Sequence, residues 1–122
     1  MTEISINPAK QTLSVEIKPQ SLHVFAISIT VFDSNKVKIL EQHSGKIDIN
    51  KTFTQVLNLK PSIAADKYIN VLMTIESLTG EDNFYSATVS FLEDNIDISP
   101  KIEIKGITLC GESSNLTRIH IN

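Results

Sequence analysis

The stretch Phe25-Ala26-Ile27-Ser28-Ile29-Thr30-Val31 decides the fold of this chain. Apolar side chains alternate in it with small side chains, so that one set can face a core while the other faces outward, as in a half-buried β-strand. Shorter runs of the same alternation occupy much of the remaining chain. They lie at residues 4–6, 13–17, 37–39, 47–49, 53–59, 69–75, 85–91, 102–104, 107–109 and 119–121.

Length and composition agree with an all-β domain. The chain has 122 residues, of which 41% are hydrophobic and 20% charged, and this predicts one globular domain over residues 1–122. Isoleucine, whose branched side chain suits a pleated surface, occurs 18 times. About nine short strands separated by turns predict a single antiparallel β-sandwich, with an immunoglobulin-like or jelly-roll-like Greek key. A β-barrel is the alternative architecture.

The segments between the runs contain residues that favour turns. We expect turns at 33–36, 43–45 and 79–83, and one helical turn that crosses between the sheets at 62–66. The phase of the alternation changes across Gly106, from even positions before it to odd positions after it. This change predicts either a β-bulge or bend at the glycine, or two short strands that meet there.

Charge and cysteine content limit the classes of function. The net charge is −3 and Arg118 is the only arginine, so we expect no nucleic-acid binding. The longest apolar run, residues 24–27, is too short to span a bilayer, and the first residues do not resemble a secretion signal. We therefore expect no membrane insertion, and a protein of the cytoplasm or of a particle that is assembled without a signal peptide. Cys110 is the single cysteine and is expected to be a buried, unreactive thiol.

No residues have the spacing of a catalytic or cofactor site. The three histidines, His23, His43 and His120, are isolated from one another and are expected at the surface or at strand ends. A phosphate-binding glycine loop and a nucleophile elbow are both absent from the sequence. We therefore expect neither enzymatic activity nor a cofactor.

Acidic turns provide the alternative hypothesis, a module that binds calcium or carbohydrate. Counting strand directions from residues 23–32 places the loops at 33–36, 50–52 and 78–83 at one end of the sandwich, and the loop at 93–101 at the other. Loops at one end could combine their oxygen ligands around a hard cation. The weak metal candidates at the first end are Asp33, Asn35, Glu81, Asp82 and Asn83, and those at the other end are Glu93, Asp94, Asn95 and Asp97.

Aromatic residues bear on carbohydrate binding, since sugar rings stack on exposed aromatic faces. The alternation places Phe25, Tyr85 and Phe91 in the core, and Tyr68 and Phe84 outward near strand ends.

The outward positions of three strands give the leading hypothesis. They are uncharged and mostly small, whereas a solvated sheet usually carries interspersed Lys and Glu. Such a surface lets another sheet or subunit approach closely. We therefore expect a non-enzymatic structural or protein-interaction subunit, for example a repeated component of a virion, phage tail or secretion apparatus, with itself or another protein as partner. The expected interaction face comprises Ala26, Ser28, Thr30, Asn70, Leu72, Thr74, Ser86, Thr88 and Ser90.

Overall fold

The computed structural model describes residues 1–49 and 51–122, and it shows an all-β sandwich of mostly antiparallel strands. The described residues form a five-stranded sheet in the order β1-β9-β6-β3-β4 and a four-stranded sheet in the order β5-β2-β7-β8. The strands are β1 (Thr2–Ile4), β2 (Leu13–Pro19), β3 (His23–Phe32), β4 (Ile39–Ile47), β5 (Phe53–Val56), β6 (Tyr68–Ser77), β7 (Phe84–Glu93), β8 (Ile96–Ile107) and β9 (Glu112–Ile121).

The pairing of the strands is antiparallel except between β1 and β9, which are parallel. The chain passes repeatedly from one sheet to the other, and β3 pairs with β6 while β2 pairs with β7. A single turn of 3₁₀-helix, Pro61–Ile63, joins β5 to β6. The helical turn predicted between the sheets at 62–66 is therefore present, but it begins one residue earlier and ends at Ile63. No helix among the described residues is long and apolar enough to cross a membrane.

The core lies between the sheets and follows the predicted alternation. Phe25, Tyr85 and Phe91 are each at most 4% exposed, which confirms their predicted place in the core. Burial of a side chain of this size stabilises the folded state by about 1.5–3 kcal/mol. The largest fully buried side chains are Phe25, Phe91, Ile4, Leu13, Ile17, Ile29, Ile47, Leu57, Ile69, Met73, Ile75 and Ile119.

The turn predicted at residues 43–45 does not exist. These residues lie within β4, where Gly45 pairs with Ile27 of β3. The glycine is needed for packing, because a Cβ atom on Gly45 would lie only 2.3 Å from the Phe53 ring. The predicted strands at 37–39 and 47–49 are thus replaced by one strand that overlaps both.

This single strand changes the positions of all later loops. In the pairing of β3 with β6, Phe32 lies opposite Tyr68 and His23 lies opposite Ser77. We call the end of the sandwich near Phe32 the upper end, and the end near His23 the lower end. The loop 33–38 follows β3 at the upper end, whereas the loop 78–83 follows the antiparallel β6 at the lower end. The prediction that these loops share an end is wrong, because it counted a turn within β4.

The predicted bulge or strand break at Gly106 is also absent. β8 continues through Gly106, which pairs with Tyr85, and the even positions keep facing inward as far as the buried Thr108. A Cβ atom on Gly106 would lie 2.3 Å from the Tyr85 hydroxyl oxygen, so the glycine makes room for that ring. Ile107 and Leu109 consequently face outward and are 42% and 64% exposed.

The irregularity of β8 lies elsewhere, at residues 99–101. Phe91 pairs with Ile98 and Val89 pairs with Ile102, which leaves extra residues in β8 between these pairs. One of them is Pro100, which has no N–H to offer to a further strand. Because β8 is the edge of its sheet, this irregularity makes the strand a poor template for edge pairing.

Candidate functional site

The outer surface of the five-stranded sheet, which we call the outer face, carries six of the nine predicted interaction residues. Three residues of β3 lie directly opposite three residues of β6 on this surface. The strand register makes these six residues neighbours, in the pairs Ala26–Thr74, Ser28–Leu72 and Thr30–Asn70.

Strands β4 and β9 extend each of these pairs into a row across the sheet. The central row runs Ser44, Ser28, Leu72 and Leu116, and it contains no charge. Leu72 and Leu116 are 44% and 45% exposed and lie opposite each other in the register. Two large apolar side chains thus lie side by side in a row whose other members are serines. The flanking rows run Lys46, Ala26, Thr74, Ser114 and Gln42, Thr30, Asn70, Arg118.

The other three predicted interaction residues do not belong to this surface. Ser86, Thr88 and Ser90 lie on β7 in the four-stranded sheet, on the opposite side of the sandwich, and Ser90 is only 3% exposed. Alternation along a strand separates inward from outward residues, but it does not say which sheet the strand joins. The predicted face is therefore divided between two surfaces.

The predicted ligand loops are also divided between the two ends. Asp33 and Asn35 lie at the upper end. The Oδ1 atom of each accepts backbone N–H groups of the same loop, and Asp33 Oδ1 also lies near Lys67. Asn35 Oδ1 accepts the backbone N–H groups of Val37 and Lys38 at 2.9 and 3.0 Å. Asp33 Oδ1 accepts the Ser34 N–H and lies 3.3 Å from Lys67 Nζ, and these contacts lower the pKa of the Asp33 carboxyl group.

At the lower end, the remaining candidates organise the connection between β8 and β9. Asp82 Oδ1 accepts the backbone N–H of Cys110 at 2.7 Å, and the Asn83 N–H donates to Thr108 Oγ1 at 2.9 Å. Glu81 is exposed beside them, and its backbone oxygen accepts the Thr108 hydroxyl. Asn50, in the predicted 50–52 loop, lies outside the described residues. Within residues 1–49 and 51–122, no group of three or more His, Cys, Asp or Glu side chains could hold a metal ion.

Cys110 differs from its prediction. Its side chain is exposed, and its φ of 54° places it in the left-handed region, in the turn between β8 and β9. The prediction of a buried thiol, which rests on the usual burial of single cysteines, is therefore wrong. Thr108 is the last buried residue before this turn, and Leu109 and Cys110 after it are both exposed.

His23 and His43 both belong to the packed interior rather than to a free surface. His23 is 3% exposed, its Nδ1 lies 2.9 Å from Ser21 Oγ, and its Nε2 has no hydrogen-bond partner among the described residues. Burial lowers the pKa of His23. His43 Nε2 contacts the Glu41 carboxylate, which also accepts the backbone N–H groups of Asn58 and Leu59. His23 is the first residue of β3, so it lies at a strand end as predicted, although its side chain is buried. The prediction is wrong for His43, which lies within β4.

His120 lies on the outer face at its upper end, next to Tyr68. The two rings are 4.7 Å apart between centroids, and Lys36 Nζ is 4.7 Å from the centroid of the Tyr68 ring. His120 Nδ1 and Nε2 each lie 3.2 Å from a carboxylate oxygen, of Glu3 and of Asp66 respectively. Tyr68 therefore faces outward as predicted, but other side chains partly cover it, whereas Phe84 is 83% exposed at the lower end.

Comparison with known proteins finds no matching family model and no significant similarity to a curated protein or to a solved structure.

Proposed function

We propose that this protein is a non-enzymatic structural or protein-interaction subunit that associates through the outer face of its five-stranded sheet. The observation that supports this proposal is the exposed pair Leu72–Leu116, which forms the β6–β9 end of a row without charges. Burial of apolar surface is the main favourable contribution to most protein association, and small neighbouring side chains let a partner reach both leucines.

The opposite surface of the sandwich provides a contrast. There the uncharged residues of β7 are flanked on both sides by charges, Glu16 and Lys18 on β2 and Glu103 and Lys105 on β8. The two charged residues of each strand form an ion pair with each other, Lys18–Glu16 at 3.2 Å in β2 and Lys105–Glu103 at 3.3 Å in β8. Interspersed charges of both signs are typical of a solvated sheet. The outer face also carries charges, Lys46 and Arg118 in its flanking rows, but its central row has none. This difference favours the outer face over its counterpart as the docking surface.

The edge strand β8 also favours a partner that packs on a sheet face over a partner that pairs with a strand edge. β8 contains Pro100 and an irregular segment, and its exposed side chains include the ion pair Lys101–Asp97. Charges and proline on an edge strand disfavour the addition of another strand. We therefore propose a partner that packs on the sheet, in the manner of a subunit in a larger assembly.

We further propose that the sandwich is a jelly-roll-like Greek key rather than an immunoglobulin-like one. Support comes from the nested pairing in which β3–β6 lies in one sheet and β2–β7 in the other. A long hairpin that folds over on itself produces such nesting.

The Leu72→Lys variant tests the proposed docking surface, because it places a charge in the centre of the central row. Light scattering over a hundredfold range of concentration measures the mass of the protein in solution. We expect the unaltered protein to self-associate and Leu72→Lys to shift the mass towards the 13.5 kDa monomer. The control is Val56→Lys, which adds the same charge at a 52% exposed position of the four-stranded sheet. Equal effects of the two variants on the mass contradict the proposal. So does an unaltered protein that is a strict monomer and whose binding to other proteins is unchanged by Leu72→Lys.

A further inference from the structure

We propose that a cavity at the upper end of the outer face binds a carboxylate group attached to a small, flat, apolar body. The cavity has a volume of about 280 Å³ and is lined by Met1, Phe32, Lys36, Tyr68, Asn70 and Arg118. It lies one row above the leucine pair, so the inference concerns a different part of the face and does not depend on the proposed association.

Arg118 supplies the group that would recognise the carboxylate. It is the only arginine of the chain, and none of the salt bridges between the described residues includes it. A guanidinium group presents a planar fork of donors that matches the two oxygen atoms of a carboxylate. Asn70 lies opposite Arg118 in the strand register and adds an amide to the same wall of the cavity.

Lys36 supplies a second positive charge from the loop above the sheet. Its φ is 61°, in the left-handed region that a residue with a long side chain rarely adopts. The loop imposes this conformation, because the Lys36 N–H donates to the Asp33 carbonyl oxygen at 2.9 Å and Asn35 holds the two amides that follow. Strained residues of this kind cluster at ligand sites, where the surrounding structure over-determines them. Here the strain places the Lys36 ammonium over the Tyr68 ring, at the border of the cavity.

The nearby acidic groups are engaged elsewhere. Glu3 and Asp66 each lie 3.2 Å from a nitrogen of His120 rather than in the lining of the cavity. Asp33 contacts Lys67. The charged groups that line the cavity are therefore cationic, while its remaining walls include the rings of Phe32 and Tyr68. Cations beside two aromatic rings suit a ligand with an anionic end and an apolar body, and because of the aromatic walls we assign a carboxylate on such a body rather than a free phosphate dianion.

Benzoate is the probe that matches this description, and benzamide is its neutral counterpart of the same shape. NMR spectra of isotope-labelled protein report the signals of the Arg118 side chain and the Tyr68 ring during a titration with each compound. We expect benzoate to shift these signals with saturation in the millimolar range, and benzamide to leave them unchanged. Equal shifts with both compounds, no saturable shift with benzoate, or binding of inorganic phosphate in its place would overturn the assignment.

Two variants separate a specific site from general charge attraction. Arg118→Gln removes the guanidinium and is expected to weaken benzoate binding by about tenfold or more, whereas Lys46→Gln removes a cation from the lower part of the same face and is expected to have no effect. A similar loss in both variants refutes the site. The titration of Leu72→Lys distinguishes this inference from the proposed association, since benzoate should bind this variant as tightly as the unaltered protein.

The carboxylate could belong to a free small molecule or to an acidic side chain of a second copy, and light scattering in the presence of benzoate separates these sources. A fall in mass on addition of benzoate, reproduced without benzoate by Arg118→Gln, assigns the cavity to a second copy. An unchanged mass assigns it to a free ligand. Both results require benzoate to bind in the cavity.

Discussion

Both carboxylate oxygens of Glu93 accept the backbone N–H of Asn7, at 3.0 and 2.9 Å, although the two residues are 86 positions apart. Glu93 is the last residue of β7 and is only 4% exposed. The contact joins the connection between β1 and β2 to the upper end of the four-stranded sheet. A charged side chain in this position is stable only because the amide compensates for the water that it has lost.

Removal of the Glu93 carboxylate should therefore destabilise the protein. We expect Glu93→Ala to lower the free energy of unfolding by about 1–3 kcal/mol, because the Asn7 amide then loses its partner. Urea unfolding measures the change. The control is Glu112→Ala, at an exposed position of β9, for which we expect a change within about 0.5 kcal/mol. If both variants unfold at the same urea concentration, the contact contributes nothing to stability.

Asp94 should make the stability sensitive to acid. Backbone hydrogen bonds from Thr12 and Gln11 to Asp94 hold the pKa of its carboxyl group below the ordinary value of 3.8. The folded state therefore favours the charged form, and the resulting stabilisation is present above pH 3.8 and is lost as the pH falls through the lower, folded-state pKa. We expect Asp94→Asn to flatten the stability profile in this acid range.

The pH at which half the molecules unfold measures the effect of Asp94→Asn. Asp97→Asn is the matched control, because Asp97 lies in the same hairpin and its carboxylate pairs with the exposed Lys101 at 3.3 Å. A profile as steep as that of the unaltered protein would show that Asp94 has no part in the acid response.

His23 should produce a second pH dependence, nearer to neutrality. Burial lowers its pKa below the ordinary value of 6.5, so the unfolded chain takes up the proton first as the pH falls. Stability due to the neutral imidazole is therefore complete above pH 6.5 and is lost below it. We expect His23→Phe to reduce the difference in urea midpoint between about pH 7.5 and about pH 5. Ser21→Ala, which keeps the buried imidazole, should retain that difference. The prediction is contradicted if His23→Phe retains the difference in urea midpoint and Ser21→Ala loses it.

Gly45 and Phe53 should behave as one unit. A Cβ atom on Gly45 would lie 2.3 Å from the Phe53 ring, so Gly45→Ala must displace it, at a cost of about 1–3 kcal/mol. Combination with Phe53→Leu should remove much of this cost, and the double-mutant cycle measures the coupling. Ser44→Ala, at the adjacent exposed position, should leave stability nearly unchanged. Additive effects of the two substitutions would show that the ring does not determine the need for glycine.

Local pattern predicted the secondary structure where one period of two ran without interruption. The run at residues 25–31 became β3, and the run at 69–75 became β6 with the same inward residues. The pattern failed at His43–Gly45, because turn-forming residues in a strand can also serve packing. Here the side chain that explains Gly45 is Phe53, in a different sheet. No feature of residues 43–45 alone could have shown this contact.

The exposed leucine pair is a second feature that the local sequence pattern could not predict. Its two members are 44 positions apart in the chain, and only the register of β6 with β9 makes Leu72 the neighbour of Leu116. Leu72 belongs to the predicted face, whereas Leu116 does not, because the strand predicted at 119–121 covers only the last residues of β9. Arg118 was noted only for its rarity, and its cavity requires the loop that holds Lys36 over Tyr68.

The sequence by itself determined that the chain is all-β and which side chains of its clearest strands face the core, because alternation along a strand is a local property. Only the tertiary structure decided which sheet each strand joins, and with it which outward residues share a surface and which loops share an end. That choice depends on contacts between residues far apart in the chain, such as Phe53 against Gly45 and Glu93 against Asn7. A period of two reports the side of a strand, and it carries no information about the neighbours of that strand.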